Sequence, residues 1–229
     1  MNYAHEDPAL RAVLDRWIDE PDRELTERLL DRLGADAAQR LDALAATANA
    51  HPPTLRQYDC DGERIDTIDY HPAYLELCRA AYSEYGLSAL SHRPVHGWTD
   101  VPPHLVKYLA SYLFVQAEFG LACPVSMTDA AARTLRMFGD PDVFGPYIDG
   151  LTSTDPDAAL TGAMFMTETQ AGTDIAQTET RAERDGTAWR LTGRKWFASN
   201  PDADVIVTLA RFPGGAENST RGVGMFMVP

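Results

Sequence analysis

A chain of 229 residues is long enough for one large domain or two ordinary ones. With 45% hydrophobic and 24% charged residues, its composition is that of a folded globular chain with a real core, which excludes an intrinsically disordered one. The net charge of −14, from 34 acidic and 20 basic residues, excludes a surface built to grip nucleic acid or an anionic membrane, since both require clustered Lys and Arg; a local basic pocket for an anionic cofactor remains compatible with it.

The first two-thirds of the chain read as helices. Leu10, Val13, Leu14 and Trp17 recur at i, i+3, i+4 and i+7, the spacing of one helical face. Leu25, Leu29 and Leu33 form a second stripe, with Gly34 placed to end it as a left-handed cap, and Ala37, Leu41, Leu44 and Ala48 form a third. His51 to Asp59 holds Pro52 and Pro53, which forbid a continuous helix. Pro72 suits the first turn of a fourth helix carrying Leu75, Cys78, Ala81, Tyr82 and Tyr85, with Gly86 at its end. After a loop from Ser91 to Pro103, a fifth helix is predicted from His104 to Phe119, a sixth from Val125 to Phe138, and a short seventh after Asp142.

The pattern changes near residue 155. Ala159 to Thr167 reads as a strand. Thr178 to Arg184 and Ala188 to Thr192 read as a hairpin around Asp185-Gly186, and Ala203 to Arg211 and Gly222 to Val228 as two further strands. The fold class is therefore α+β: a helical N-terminal domain, 1–154, followed by an antiparallel β-domain, 155–229. Strands without evident later partners suggest an incomplete sheet.

The three cysteines, Cys60, Cys78 and Cys123, are odd in number and far apart, which fits neither a disulfide framework nor a paired-cysteine metal site; buried or half-buried thiols in a reducing cytoplasm are expected. Met1 to Leu14 contains Glu6, Asp7 and Pro8 and lacks an apolar core, so no signal peptide is expected, and no stretch has the apolar length of a bilayer span. A cytoplasmic protein without a membrane partner is the expectation. The histidines, including His92 and His96 with Pro94 between them, converge on no acid cluster, so no metal is expected. No phosphate-binding glycine motif and no nucleophile elbow is present.

Two segments carry the chemistry. In Phe165-Met166-Thr167-Glu168-Thr169-Gln170-Ala171-Gly172-Thr173-Asp174 an apolar strand runs into small and polar residues. Gly172 lets backbone approach a bulky ligand, and turn amides with the Thr167 and Thr173 hydroxyls can donate to ring heteroatoms or phosphate oxygens. On composition alone the segment reads sooner as an ordinary strand-end turn, since single glycines in turns are common. In Gly193-Arg194-Lys195-Trp196-Phe197-Ala198-Ser199-Asn200, two aromatics in a short strand can wall a planar ring, and Ser199 can bond its edge. Adjacent strand residues face opposite ways, so at most one aromatic stacks on a ligand and at least one belongs to the core.

In order, spacing and residue type the two segments together resemble the middle domain of the acyl-CoA dehydrogenase family, and the intervening Thr178 to Gly186 resembles its hairpin. Met166 to Gly172 and Lys195-Trp196-Phe197 are similar to the AidB-like (adaptive response to alkylation) branch, as are Ala48 to Pro53, Arg56-x-Tyr58-Asp59 and Tyr70 to Ala73. The resemblance implies an incomplete antiparallel β-barrel-like middle domain, FAD as cofactor and an acyl-CoA thioester as substrate, dehydrogenated between its α and β carbons. It implies that Met166 and Thr167 contact the flavin ring, that Gly172 and Thr173 lie along the FAD pyrophosphate, with Thr173 also facing acyl-CoA, that Phe197 packs on the flavin face away from substrate, and that Ser199 bonds the ring. Glu168 and Asp174 match motif acids and are read as structural. No catalytic residue is assigned: the family's carboxylate base is expected in a C-terminal helical bundle that would follow Pro229, supplied by a homo-oligomer partner or another chain. The alternative is a non-catalytic AidB-like flavoprotein fragment acting in the alkylation-damage response or as a binding module, without direct nucleic-acid binding by this chain.

Overall fold

The computed structural model describes all residues from Met1 to Pro229 and divides them into two compact units, Met1–Ala159 and Leu160–Pro229. No helix is long and apolar enough to cross a membrane.

In the first unit, α1 (Tyr3–Glu6) and α2 (Pro8–Trp17) are separated by Asp7, whose carboxylate caps α2 by accepting from the amides of Ala9 and Leu10. α3 (Asp22–Asp36) does not end at Gly34. It continues through a π-helical turn (Ala37–Leu41) into α4 (Asp42–Ala50). The expected cap is thus corrected: Gly34 lies inside the helix because α1 packs onto it, and a Cβ there would stand 2.3 Å from Asn2 Oδ1 and 2.6 Å from the Ala4 nitrogen. α5 (Pro72–Arg79) likewise runs into a π turn (Ala80–Glu84), after which Gly86, at φ +56°, ends the helical run as expected. α6 (His104–Ala117), α7 (Ala122–Phe138) and α8 (Pro141–Leu151) follow. The core joins Leu10, Leu14, Leu33, Leu41, Leu77 and Phe114, with Leu113 beside them.

Between α4 and α5 lies an antiparallel hairpin, β1 (Thr54–Tyr58) and β2 (Arg64–Asp69), that the sequence reading did not contain. Every residue of β1 is exposed, so no face is buried to leave the alternation by which a strand is recognised. Cys60, at the hairpin tip, and Cys123 are exposed rather than buried, and only Cys78 is half-buried.

The second unit is a five-stranded open sheet: β3 (Gly162–Phe165), β4 (Arg181–Asp185), β5 (Ala188–Thr192), β6 (Val205–Arg211) and β7 (Val223–Val228). The β4–β5 hairpin pairs Asp185 with Ala188 across a two-residue turn in which Gly186 has φ +62°. The sheet is mixed rather than wholly antiparallel. β6 pairs antiparallel with β7 along Ile206–Arg211, but β3 and then β4 run parallel to its other edge. The long irregular connection after β3 lets β4 start in the same direction as β3, which a hairpin cannot do.

Candidate functional site

β3 delivers the first segment. Its last carbonyl, on Phe165, accepts from the Thr208 hydroxyl of β6 (2.6 Å), and the chain then passes through half-buried Met166 and Thr167 to Glu168. A tight turn follows. The Glu168 amide donates to the Ala171 carbonyl (2.8 Å) and the Ala171 amide returns to the Glu168 carbonyl (3.1 Å).

Glu168 is 3% exposed, and both its oxygens are engaged. Oε1 accepts from Lys195 Nζ (2.7 Å), Thr180 Oγ1 (2.6 Å) and the Thr180 amide (3.1 Å). Oε2 accepts from the Glu179 amide (2.7 Å) and Gln170 Nε2 (2.7 Å). Burial alone pushes this carboxyl up; the Lys195 ammonium, the Thr180 hydroxyl and the two amides outweigh it and hold the carboxyl down at about 2. Asp174 caps a single 3-10 turn by accepting from the Ala176 amide (3.1 Å). Asp174 therefore bonds local structure, whereas Glu168 bonds Gln170 locally and groups 11, 12 and 27 residues along the chain.

The second segment leaves β5 at Thr192 and is irregular rather than a strand. At Gly193 the backbone lies against Thr180, so a Cβ would stand 2.3 Å from Thr180 Oγ1 and 2.7 Å from its Cα. Lys195 then reaches Glu168, and the Trp196 amide donates to the Thr167 carbonyl (2.8 Å). Asn200 Nδ2 donates to the Gly162 carbonyl (3.3 Å). Phe197 and Asn200 adopt left-handed backbone, at φ +56° and +57°. Trp196 is 55% and Phe197 79% exposed, with rings 5.9 Å apart and near perpendicular. The expectation that one of them joins the core is overturned. Without strand geometry the side chains need not alternate, and the left-handed turn at Phe197 leaves both rings in solvent.

The structure thus joins Thr167 to the Trp196–Phe197 segment through one backbone bond. Met166 adjoins the same clamp, its carbonyl 3.5 Å from Lys195 Nζ. Gly172, Thr173 and Ser199 are exposed. The amides of Gly172 and Thr173 donate to nothing within the chain, and the hydroxyls of Thr167, Thr173 and Ser199 are likewise unengaged. Gly172 has neither a positive φ nor any atom within 4 Å of where a Cβ would sit. Neither backbone conformation nor internal packing requires glycine there, whereas the approach of a ligand would. Unspent amides and hydroxyls beside exposed rings fit a cofactor with a flat heterocycle and a pyrophosphate.

Sequence reasoning assigned no role to Lys195, Thr180 or Gly193. One available signal was scarcity: the chain has two lysines, Lys107 and Lys195. Each is ion-paired to a largely buried carboxylate. Lys107 Nζ lies 2.7 Å from Asp129, which also accepts from His92 (2.8 Å), whose other ring nitrogen faces Arg136 (2.7 Å). His92 is a buried packing residue in that network, and no group of three or more His, Cys, Asp or Glu is arranged to hold a metal.

The family model for the N-terminal domain of the adaptive response protein AidB matches residues 1–158, and that for the acyl-CoA dehydrogenase middle domain matches residues 163–229. The chain belongs to the AidB branch of the acyl-CoA dehydrogenase family. It is 29% identical to acyl-CoA dehydrogenase family member 11 of Caenorhabditis elegans, over 97% of this chain and 37% of that protein. It is 34% identical to the putative acyl-CoA dehydrogenase AidB of Escherichia coli K12, over 75% of this chain and 33% of that one. The crystal structure of the C. elegans protein in complex with C11-CoA matches all of this chain and 40% of its own length, with a TM-score of 0.86 and 28% identity. The apo-form of Bd2924 matches all of this chain and 46% of its own, with a TM-score of 0.90 and 29% identity. The chain spans between a third and a half of the length of these relatives.

Proposed function

We propose that the Leu160–Pro229 unit holds FAD and serves the α,β-dehydrogenation of an acyl-CoA thioester. One observation carries this reading: unengaged donors at Thr167, Gly172, Thr173 and Ser199 lie on the two segments that meet where the Trp196 amide bonds the Thr167 carbonyl, beside two exposed aromatic rings. Family membership and the C11-CoA complex of a relative support it. In this reading the Thr167 and Ser199 hydroxyls bond the polar edge of the ring, Met166 contacts it and Phe197 covers one face. Gly172 and Thr173 amides receive the pyrophosphate, and Thr173 also faces the acyl-CoA. FAD, when bound, supplies the acceptor for the hydride of the β carbon. Glu168 is not the base for the α proton: its oxygens are saturated by five donors and it is held ionised far below neutral pH. The base is supplied from outside this unit, by the C-terminal helical domain that the family pattern places after it.

An FAD titration followed by flavin fluorescence tests the reading, with Thr167→Val and Gly172→Val as controls. Binding by the wild type and loss in both variants is the expected result. A folded wild-type chain that leaves micromolar FAD free, or variants that bind as well as wild type, would refute it.

A further inference from the structure

We propose that the Lys195–Glu168 ion pair is a positioning lock, which holds the Thr167 turn and the Phe197–Ser199 segment in fixed register before the cofactor arrives; the proposal rests on the FAD reading above.

The argument begins with what holds each segment. Residues 193–200 make no strand ladder, and they are tethered elsewhere in the unit by three side-chain or amide groups: Lys195 Nζ, the Trp196 amide and Asn200 Nδ2. Two of the three are consecutive, and both end on consecutive residues of the other segment: Trp196 on Thr167, Lys195 on Glu168. Such a two-point attachment fixes direction as well as distance. The charged member is the stronger, because a charge-assisted bond in a water-excluded place exceeds a neutral amide bond.

Glu168 is also the hub for a third stretch. Its oxygens collect the amides of Glu179 and Thr180 and the Thr180 hydroxyl, and the backbone of Gly193 lies directly on Thr180. The carboxylate therefore ties together the turn after β3, the approach to β4 and the exit from β5. Phe197 and Ser199 lie two and four residues beyond Lys195, and Thr167 immediately precedes Glu168. Both oxygens of Glu168 are engaged within the unit and Lys195 Nζ is turned onto Glu168 and the Met166 carbonyl, so the pair acts through its neighbours rather than by contact. A left-handed phenylalanine persists only when surrounding structure over-determines it, and the lock lies two residues before it in the chain. Segments ordered in advance are not ordered at the expense of binding, so the lock raises affinity without touching the ligand.

Hydrogen exchange of the apo chain and FAD titration, run on wild type, Lys195→Met, Glu168→Gln and Lys195→Arg, test this. In Lys195→Met, exchange at the Ala171 and Trp196 amides should accelerate together, and FAD affinity should fall tenfold or more while the helical unit keeps its protection. Lys195→Arg should restore both to within about threefold. The isosteric Glu168→Gln should match Lys195→Met, and the double variant should lose no more than the worse single one. Lys195→Met or Glu168→Gln binding FAD within twofold of wild type, or the two amides exchanging independently, would overturn the lock. Absence of FAD binding by the folded wild type refutes the cofactor reading instead, and the exchange arm still judges the lock.

Discussion

Replacing Gly193 by alanine should be among the most damaging single-methyl changes in the Leu160–Pro229 unit. The added Cβ would lie 2.3 Å from Thr180 Oγ1 and 2.7 Å from both Thr180 Cα and Cβ, so backbone itself would have to move. Overpacking of this kind costs about 1–3 kcal/mol. Displacing Thr180 also stretches its 2.6 Å bond to Glu168, a bond to a buried charge worth about 1.5–3 kcal/mol. The sum, about 2.5–6 kcal/mol, corresponds to a drop in Tm of more than about 10 °C for a unit of this size. Gly172→Ala is the internal control, because its Cβ meets nothing within 4 Å and its φ is not positive. It should leave Tm unchanged or raise it slightly through the lost entropy of the unfolded chain, about 0.4–1 kcal/mol. Thermal unfolding followed by circular dichroism, with hydrogen exchange at β4 and β6 to assign the transition, measures both. A Gly193→Ala protein melting within 2 °C of wild type (an order-of-magnitude threshold from the same scaling) would refute the close approach and with it the role given to Thr180.

The acid limb of stability should carry the signature of Glu168. Its folded carboxyl sits near 2 against an ordinary 4.5, so its contribution, up to about 3 kcal/mol, is complete above pH 4.5 and is lost as pH falls from 4.5 towards 2; urea titrations of wild type and Glu168→Gln should converge across that window, and parallel curves would contradict the assignment. Lys107→Met strands the Asp129 carboxylate beside His92, and should cost about 3 kcal/mol in urea unfolding, a loss below 1 kcal/mol (about one-third of that expectation) arguing against the buried pair. Gly34→Ala should leave helix content intact while freeing α1, read as faster proteolysis near Asn2–Glu6, since the new methyl strikes the Ala4 backbone rather than the helix that carries it. Phe197→Gly should stabilise the apo chain by about 1 kcal/mol by relieving left-handed backbone at a side chain already 79% exposed, yet weaken FAD binding; a loss of stability would show the ring to be packed.

Much of the fold could be read from spacing, and the failures in the helical unit trace largely to π turns. Leu29, Leu33, Ala37, Leu41 and Ala45 are all buried, at intervals of four. An α-helix of 3.6 residues per turn would drift off such a stripe, and the π turn at Ala37–Leu41 takes up the excess; reading Gly34 as a cap broke the helix there instead. The same device misled the stripe through Leu75, which is 53% exposed while Leu77 is fully buried, because the π turn at Ala80–Glu84 changes the phase between Leu75 and Tyr82. In the second unit the strands were evident from β-branched and alternating residues, but the parallel pairing of β3 with β6 depends on contacts 43 residues apart that no local pattern records. The motif segments were found at once. Their internal wiring was not, since Lys195 reaches Glu168 only after the chain has traversed the β4–β5 hairpin.

What distinguishes the site from its surroundings is an opposition between two shells. The supporting residues are over-satisfied: Glu168 takes five donors, Gly193 has no room for a methyl, and Arg211 spends its guanidinium on the carbonyls of Ala176, Thr178, Ala216 and Ser219. The residues they present are the reverse: two left-handed non-glycines, two exposed aromatic rings, unspent amides at Gly172 and Thr173, and a glycine with no internal reason to be one. A chain selected for stability alone would remove these defects by single substitutions, and several of them, Phe197→Gly and Gly172→Ala among them, are available without disturbing a neighbour. Local rules broken on these two segments, beside supporting groups that are fully satisfied, are what the proposed FAD site accounts for. Because the frame's rigidity and the defects' freedom are both required, stabilising substitutions in the presented residues and destabilising ones in the frame should weaken FAD binding alike, by opposite routes.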